Sequence, residues 1–366
     1  MTDEERPATA RESAFMRRAL ALARKGWGQT APNPMVGAVV VSGGVIVGEG
    51  WHARYGGPHA EVAALEAAGE RARGATVYVT LEPCAHHGKT PPCADAIVRA
   101  GVARVVAATR DPGSESGGGG ERLEQAGIRF ESGLEERAAR ELNAPFFHAF
   151  RSDRPWVVLK LAVSIDGALA DAKRSKGWLT GDAARREVHR LRAGADAIAV
   201  GIGTVLADDP RLTVRDAKPP RVPPRRVVFD RHARLPLESE LARTVGAAPI
   251  TVVAMQPEPG NVQRLEAAGI EVLTVASLQA ALRTLARAGI RSMFIEGGSE
   301  LAGALLTDAL VDRLIIFQAP IVLGTGALNA FATAPPEGVS EATRLDILER
   351  RAFGTDLMTI YAITTL

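Results

Sequence analysis

Pro58-His59-Ala60-Glu61 and the later run Pro83-Cys84-Ala85-His86-His87-Gly88-Lys89-Thr90-Pro91-Pro92-Cys93 decide how this chain is read. Zinc takes nitrogen and sulfur ligands tetrahedrally, and a catalytic site keeps one position open for water. Three protein ligands are then expected. His59, Cys84 and Cys93 supply them, and both cysteines of the chain are used in one site. His59 and Cys93 each follow a proline at the start of an expected helix, where the dipole favours thiolate. Cys84 lies just past an expected strand end. Glu61, two residues after His59, is placed to move a proton beside the metal. A purely structural zinc would want a fourth ligand, for which His86 or His87 stands in the same run.

Working outward, the pattern is α/β. Residues 12–25 read as a helix because Phe15, Ala19, Leu22 and Ala23 share a face. Met35–Val41 and Val45–Glu49 are apolar, β-branched runs joined by Ser42-Gly43-Gly44, a hairpin signal. Pro58–Ala68 and Pro92–Ala100 read as helices, opened by proline and closed by Gly69 and Gly101. Thr76–Leu81 and Arg104–Thr109 read as strands. That order predicts helices layered on a mixed sheet. Asp111–Ser116 and the four glycines after it read as a flexible loop. A short helix and strand over Arg122–Glu131 and a helical stretch over 134–150 close a first domain, 1–150.

Pro155 opens a second pattern, a domain over 151–366. Strands are expected at Trp156–Val163, Asp196–Val200, Val227–Phe229, Ile250–Val253, Glu271–Thr274, Ser292–Ile295, Arg313–Ala319 and Leu357–Thr364, and a helix at Arg185–Ala193. Residues 217–224, rich in proline, read as a surface loop. Gly201-Ile202-Gly203-Thr204 and Glu296-Gly297-Gly298-Ser299 read as turns whose N–H groups can approach phosphate. Neither spells the G-x-G-x-x-G dinucleotide fingerprint, so a Rossmann reading is not supported.

Bulk numbers narrow the class. A chain of 366 residues fits two domains. A hydrophobic fraction of 46% and a charged fraction of 23% are those of a globular protein. With 44 basic against 42 acidic residues, the net charge of +2 lacks the concentrated surplus of a nucleic-acid binder. Few cysteines, a charged N-terminus without an apolar core and no long apolar run lead to the expectation of a reducing cytoplasm, with no membrane span.

H-x-E followed by P-C and a later C resembles the cytidine-deaminase-like superfamily, whose zinc deaminases use the glutamate as acid and base. Most members separate the cysteines by two residues, whereas here eight intervene. With Thr30-Ala31-Pro32-Asn33-Pro34-Met35-Val36-Gly37 upstream, the chain resembles the bifunctional deaminase/reductase family of riboflavin biosynthesis over essentially its whole length. The resemblance implies a cytidine-deaminase-like three-layer α/β/α domain followed by a dihydrofolate-reductase-like α/β domain. It implies Zn2+ and NADPH as cofactors and a small phosphorylated pyrimidine as substrate, contacted in the first domain by Asn33, His52, His86 and Lys89. His86 and Lys89 suit a phosphate as cationic donors. Lys160-Leu161-Ala162-Val163-Ser164-Ile165-Asp166-Gly167, Trp178-Leu179-Thr180-Gly181, Arg190-Leu191-Arg192 and Gly203–Thr213 carry the resemblance in the second domain. There it implies that Ala162, Trp178, Thr204, Asp208, Gly298 and Ser299 touch the nucleotide. Lys176, Arg192, Leu212, Arg215 and Glu296 are the implied substrate contacts, and the resemblance also implies a homodimer or tetramer through this half. Two stretches depart from the family pattern. Ser175 stands three residues before Trp178 instead of two, with Lys176 in the nearer place, and the glycine loop 113–120 lacks the usual proline and basic residues.

Two readings from other classes stand beside this one. A zinc deaminase acting on tRNA, with 151–366 as an RNA-binding module, would need an aromatic and basic stripe that the sequence lacks. A zinc-stapled binding protein would need a fourth protein ligand.

Overall fold

The structure, a computed structural model, describes residues 10–86, 88, 91–114, 116–175, 177–331 and 342–363. His87, Lys89 and Lys176 lie outside the described residues. The chain divides into two compact units, Met1–Arg151 and Ser152–Leu366.

The first unit runs α1 (Ala10–Ala23), β1 (Gly37–Ser42), β2 (Val45–Trp51), α2 (Ala60–Ala68), β3 (Thr76–Val79), α3 (Cys93–Arg99), β4 (Arg104–Ala107), α4 (Gly119–Gln125), β5 (Arg129–Ser132), α5 (Glu136–Leu142) and α6 (Ala144–His148). Its sheet has the order β2-β1-β3-β4-β5. The β1 pairings are antiparallel, and β3, β4 and β5 run parallel. Strand side chains alternate between faces, and this alternation builds the layers. Ala38, Val40, Val77, Val79, Val105 and Ala107 pack on Ala60, Ala64, Ala94, Ile97 and Leu123 of α2, α3 and α4. Val39, Val41, Tyr78 and Val106 turn the other way onto Met16, Ala19 and Leu20 of α1 and Ala139 of α5. The result is a three-layer α/β/α sandwich around a mixed sheet.

The helix carrying His59 and Glu61 lies directly on the hairpin. A methyl group placed on Gly48 would stand 2.2 Å from the Ala64 carbonyl oxygen, and one on Gly50 2.4 Å from that of Ala60. Glycine at these positions lets β2 and α2 touch backbone to backbone.

The second unit contains β6 (Trp156–Val163), β7 (Ala168–Ala170), α7 (Asp182–Arg192), β8 (Ala197–Gly201), α8 (Ile202–Asp208), β9 (Arg225–Phe229), α9 (Glu240–Arg243), β10 (Ile250–Ala254), α10 (Pro259–Ala267), β11 (Glu271–Thr274), α11 (Leu278–Arg287), β12 (Ser292–Glu296), α12 (Ser299–Thr307), β13 (Arg313–Gln318), β14 (Leu328–Asn329), β15 (Leu345–Phe353) and β16 (Asp356–Ile363). Nine strands form one sheet in the order β11-β10-β9-β8-β12-β6-β13-β16-β15. The seven from β11 to β13 are parallel, and β16 and β15 close the edge antiparallel. Val157, Leu159, Leu161 and Val163 of β6 face Leu282, Leu285, Ala302 and Leu305 of α11 and α12. Ala184, Val188 and Leu191 of α7 cover part of the opposite face.

Several expectations change here. The helical stretch over 134–150 breaks at Asn143, between α5 and α6. The first strand starts at Gly37, two residues later than its apolar run. The glycine turn at 201–204 is the start of α8, which leaves β8 without an intervening loop. The glycines at 117–120 are not a free loop: Gly119 and Gly120 begin α4 and are buried. A methyl on Gly119 would lie 1.7 Å from the Pro83 carbonyl oxygen, so close approach to the cysteine segment is what glycine permits. β15 escaped notice because its pattern is almost wholly exposed and lacks the half-buried alternation that marks a strand.

Candidate functional site

His59 is the residue before α2, with extended backbone, and Glu61 lies in the first turn. Cys93 is the first residue of α3. Cys84 lies five residues past the end of β3. The Nδ1 atom of His59 and the two sulfurs all lie within 4.8 Å of one another. His59 Nδ1 is 3.1 Å from Cys93 Sγ and 3.6 Å from Cys84 Sγ. Zinc bonds of about 2.0–2.3 Å in a tetrahedron place ligand atoms roughly 3.5–3.8 Å apart, so this donor set fits the ion. Among the described residues this is the one such cluster, and His86, exposed, does not join it.

Cys84 is prepared as a thiolate. The Cys93 thiol, the His59 ring and the backbone N–H of Cys93, which donates to its sulfur at 3.3 Å, hold it down at about 4 against the cost of burial. The Cys84 sulfur and burial push the Cys93 thiol up. Glu61 is 3% exposed. Burial pushes its carboxyl up to about 7, against the pull of His59.

His59, Glu61 and Cys84 line a cavity of about 310 Å³ together with Asn33, His52, His86, Glu82, Asp111, Ser116 and Phe146, and Cys93 stands behind its wall beside His59 and Cys84. Burial pushes the His52 ring below the usual imidazole range, and because the Pro58 carbonyl can only accept, the His52 Nδ1–H donates to it at 3.0 Å. Its Nε2 then accepts from Asn33 Nδ2 at 3.4 Å. Three of the four expected substrate contacts, Asn33, His52 and His86, therefore share one cavity with His59, Cys84 and Glu61.

One wall of the cavity has no counterpart in the motif reading. Glu82, 4% exposed, accepts the backbone N–H of Asp111 at 3.1 Å and of Gly120 at 2.9 Å. Asp111 Oδ1 accepts from Gly113 N at 2.8 Å and Ser116 Oγ at 2.9 Å. Burial raises the Asp111 carboxyl in spite of those two bonds. Ala85 N donates to Ser116 O at 3.3 Å, so the loop is sewn to the residue beside Cys84. The available signal was Glu82 itself, an acid two residues before a metal ligand at a strand end.

The second unit gathers a different set. Lys160 and Glu296 are register partners on β6 and β12. Glu296 bonds Arg192 Nε through Oε1 and stands 3.8 Å from Lys160 Nζ through Oε2. Burial would raise the Glu296 carboxyl, but Arg192 and Lys160 outweigh it and hold it at about 2. Burial pushes Lys160 down, with Glu296 opposing. Arg192 also donates to Thr213 O at 2.9 Å, and the Arg215 N–H donates to His189 Nδ1 at 3.1 Å. These bonds fix the stretch 209–216, in which Asp209, Leu212 and Asp216 all have positive φ.

Strand β8 leads into α8 and β12 into α12, both at the carboxyl edge where open parallel sheets bind ligands. A methyl on Gly298 would sit 3.4 Å from Thr204 Oγ1, so the two helix starts are neighbours. Ser299 donates to Asn329 O. Trp178 is exposed, with the Arg185 guanidinium 5.3 Å from its ring centre. Asp208 is exposed at the end of α8. Ala162 is half-buried on β6, and the Leu212 side chain is in the core.

Residues 9–109 match the family profile described as the cytidine and deoxycytidylate deaminase zinc-binding region. Residues 155–359 match that of the RibD C-terminal domain. The riboflavin biosynthesis protein RibD of Aquifex aeolicus is 44% identical over 85% of this chain and 88% of its own length. That of Escherichia coli is 43% identical over 94% of this chain and 97% of its own. Among solved structures, Acinetobacter baumannii RibD is 39% identical with a TM-score of 0.85, covering 97% of this chain and 99% of that one. A Thermotoga maritima diaminohydroxyphosphoribosylaminopyrimidine deaminase/5-amino-6-(5-phosphoribosylamino)uracil reductase is 34% identical with a TM-score of 0.83, covering 96% and 98%.

Proposed function

The chain belongs to the RibD family of bifunctional riboflavin-biosynthesis enzymes, and on that footing we propose how its two activities divide between residues 1–151 and 152–366. The protein is a deaminase and a reductase. It removes the 2-amino group of 2,5-diamino-6-(5-phosphoribosylamino)pyrimidin-4-one by hydrolysis, then reduces the ribose to a ribityl chain. We assign the first step to the cavity of the first unit and the second to the carboxyl edge of the second sheet. The observation that carries this is the meeting of His59 Nδ1, Cys84 Sγ and Cys93 Sγ at a cavity lined by His59, Cys84 and Glu61.

Zinc held by these three would supply Lewis acidity and make a water nucleophilic near neutral pH. Glu61 would take one proton from the attacking water and pass it to the ring nitrogen, then take the remaining proton of the new hydroxyl and pass it to the departing amine. A C–O bond forms, a C–N bond breaks and ammonia leaves. Asn33 and His52 hold the ring, and His86 and Lys89 hold the phosphate.

In the second unit, Thr204, Gly298 and Ser299 with the start of α12 form the phosphate cradle of a nicotinamide nucleotide, which we take to be NADPH. Ala162, Trp178 and Asp208 complete that site. The bound nucleotide would supply hydride. Arg192 and Arg215 orient the substrate phosphate, Glu296 meets the sugar hydroxyls, and Leu212 and Lys176 are the remaining substrate contacts we assign. Nothing in the profile match over 155–359 favours an RNA-binding module.

The test uses the purified protein and the diaminopyrimidine ribotide. Ammonia release should proceed without NADPH, and NADPH oxidation should follow it and outpace NADH oxidation. Glu61→Gln should keep zinc but lose about 10²–10⁴-fold of ammonia release. Full activity in that variant would overturn the role given to Glu61.

A further inference from the structure

We infer that Asn143 is a positioning residue for deamination, acting through Asn33. Asn143 closes α5 and opens α6, and it is 4% exposed. An asparagine at a helix start ordinarily turns its side chain onto the first N–H groups of that helix. Here it makes no such bond. Its Oδ1 instead accepts from Met35 N at 2.8 Å, and its Nδ2 donates to Met35 O at 2.8 Å, across 108 residues of chain. One amide thus satisfies both backbone groups of Met35, as a paired strand would, just before β1 begins. This is why the apolar run from Met35 enters the sheet late.

Met35 sits between Pro34 and Val36, which line the cavity with Asn33. His52 N donates to Val36 O at 2.9 Å. The His52 ring then joins Asn33 on one side and the Pro58 carbonyl, next to His59, on the other. A continuous run of contacts leads from Asn143 through residues 33–36 and His52 to the metal ligand. Without the amide, the wall carrying Asn33 loses its anchor, and Met35 keeps two unmet backbone groups. The inference rests on Asn33 being a substrate contact, as proposed above.

The experiment compares Asn143→Ala, Asn143→Asp, Asn33→Ala and the double alanine variant in the full-length zinc enzyme. It reads KM and kcat for ammonia release, zinc per chain, and NADPH oxidation with deaminated substrate. Asn143→Ala should raise the deaminase KM about tenfold or more, because ångström displacements of positioning groups are costly. kcat should stay within about threefold, with zinc and reductase rates unchanged. Asn143→Asp keeps the acceptor for Met35 N but loses the donor to Met35 O, and its KM should also rise. The double variant should be no worse than Asn33→Ala alone, since coupled residues are not additive. A wild-type KM in Asn143→Asp, or a double effect equal to the product of the single ones, overturns the inference. If Asn33→Ala itself leaves KM unchanged, the reading of Asn33 falls and takes the inference with it. If Asn143→Ala loses zinc, a KM rise in zinc-loaded Asn143→Asp still supports the proposal.

Discussion

The two units solve the problem of holding a pyrimidine ribotide in opposite ways. The first encloses a cavity whose decisive groups are side chains of particular elements: an imidazole, two sulfurs and a buried carboxyl. The second presents an edge, where on the assignment proposed above the holding falls to helix starts, the positive-φ stretch 209–216 and a largely buried Lys160–Glu296–Arg192 ion triad. Metal ligation demands residue identity, whereas a phosphate cradle demands backbone direction. The first kind of site fails when one atom type changes. The second fails when a charge balance or a loop course changes.

The sharpest way to break this contrast is Cys84→Ser. Ammonia release should fall by about 10³-fold or more, because zinc prefers thiolate in this donor set. NADPH oxidation of deaminated substrate should not change. A parallel loss of both activities would mean that the two sites are not separable.

Glu296→Gln comes next. It removes the carboxylate that Arg192 and Lys160 share, and breaking such a largely buried set costs about 3–5 kcal/mol. Reductase activity should disappear while ammonia release persists. The sign of the pH dependence follows from the carboxyl being held at about 2 in the folded chain against an ordinary value of 4.5. Its contribution is fully present above 4.5 and is lost as pH falls through about 2. Denaturant midpoints of the second unit should therefore differ between wild type and variant at pH 7, and converge in strong acid. A constant gap from pH 7 to pH 2 would contradict the triad.

The smallest expected effect belongs to Gly119→Ala. Its methyl meets the Pro83 carbonyl, and overpacking of this kind costs about 1–3 kcal/mol. Deamination should slow modestly, with the reductase untouched. Unchanged kinetics and melting would show that the glycine wall can give way.

Legibility in the sequence followed the same divide. His59, Glu61, Cys84 and Cys93 were readable because chemistry fixes their types and spacing. Most strands of both sheets were readable as short apolar, β-branched runs, because a strand covered on both faces is buried at nearly every position. The Glu82 clamp, Asn143 and the Lys160–Glu296 pairing were not, since each depends on which backbone group folds against a side chain far along the chain. The glycines at 117–120 looked like freedom and proved to be contact, because composition alone cannot tell an open turn from a tight one. The start of α8 was missed for a related reason: Gly201 and Gly203 signal a turn, yet Gly201 only has to be extended for a helix to begin.

The seat of α2 on Gly48 and Gly50 has a mechanical consequence. Side-chain contacts can yield by changing rotamer, but peptide groups in direct apposition have no soft coordinate. The helix bearing His59 and Glu61 therefore moves with β2 as one stiff body. On the roles proposed above, that seat sets where Glu61 and His59 stand relative to Cys84 and Cys93, which other segments carry. A methyl at either glycine would shift that body as a whole, an error of alignment that no neighbouring side chain is free to absorb.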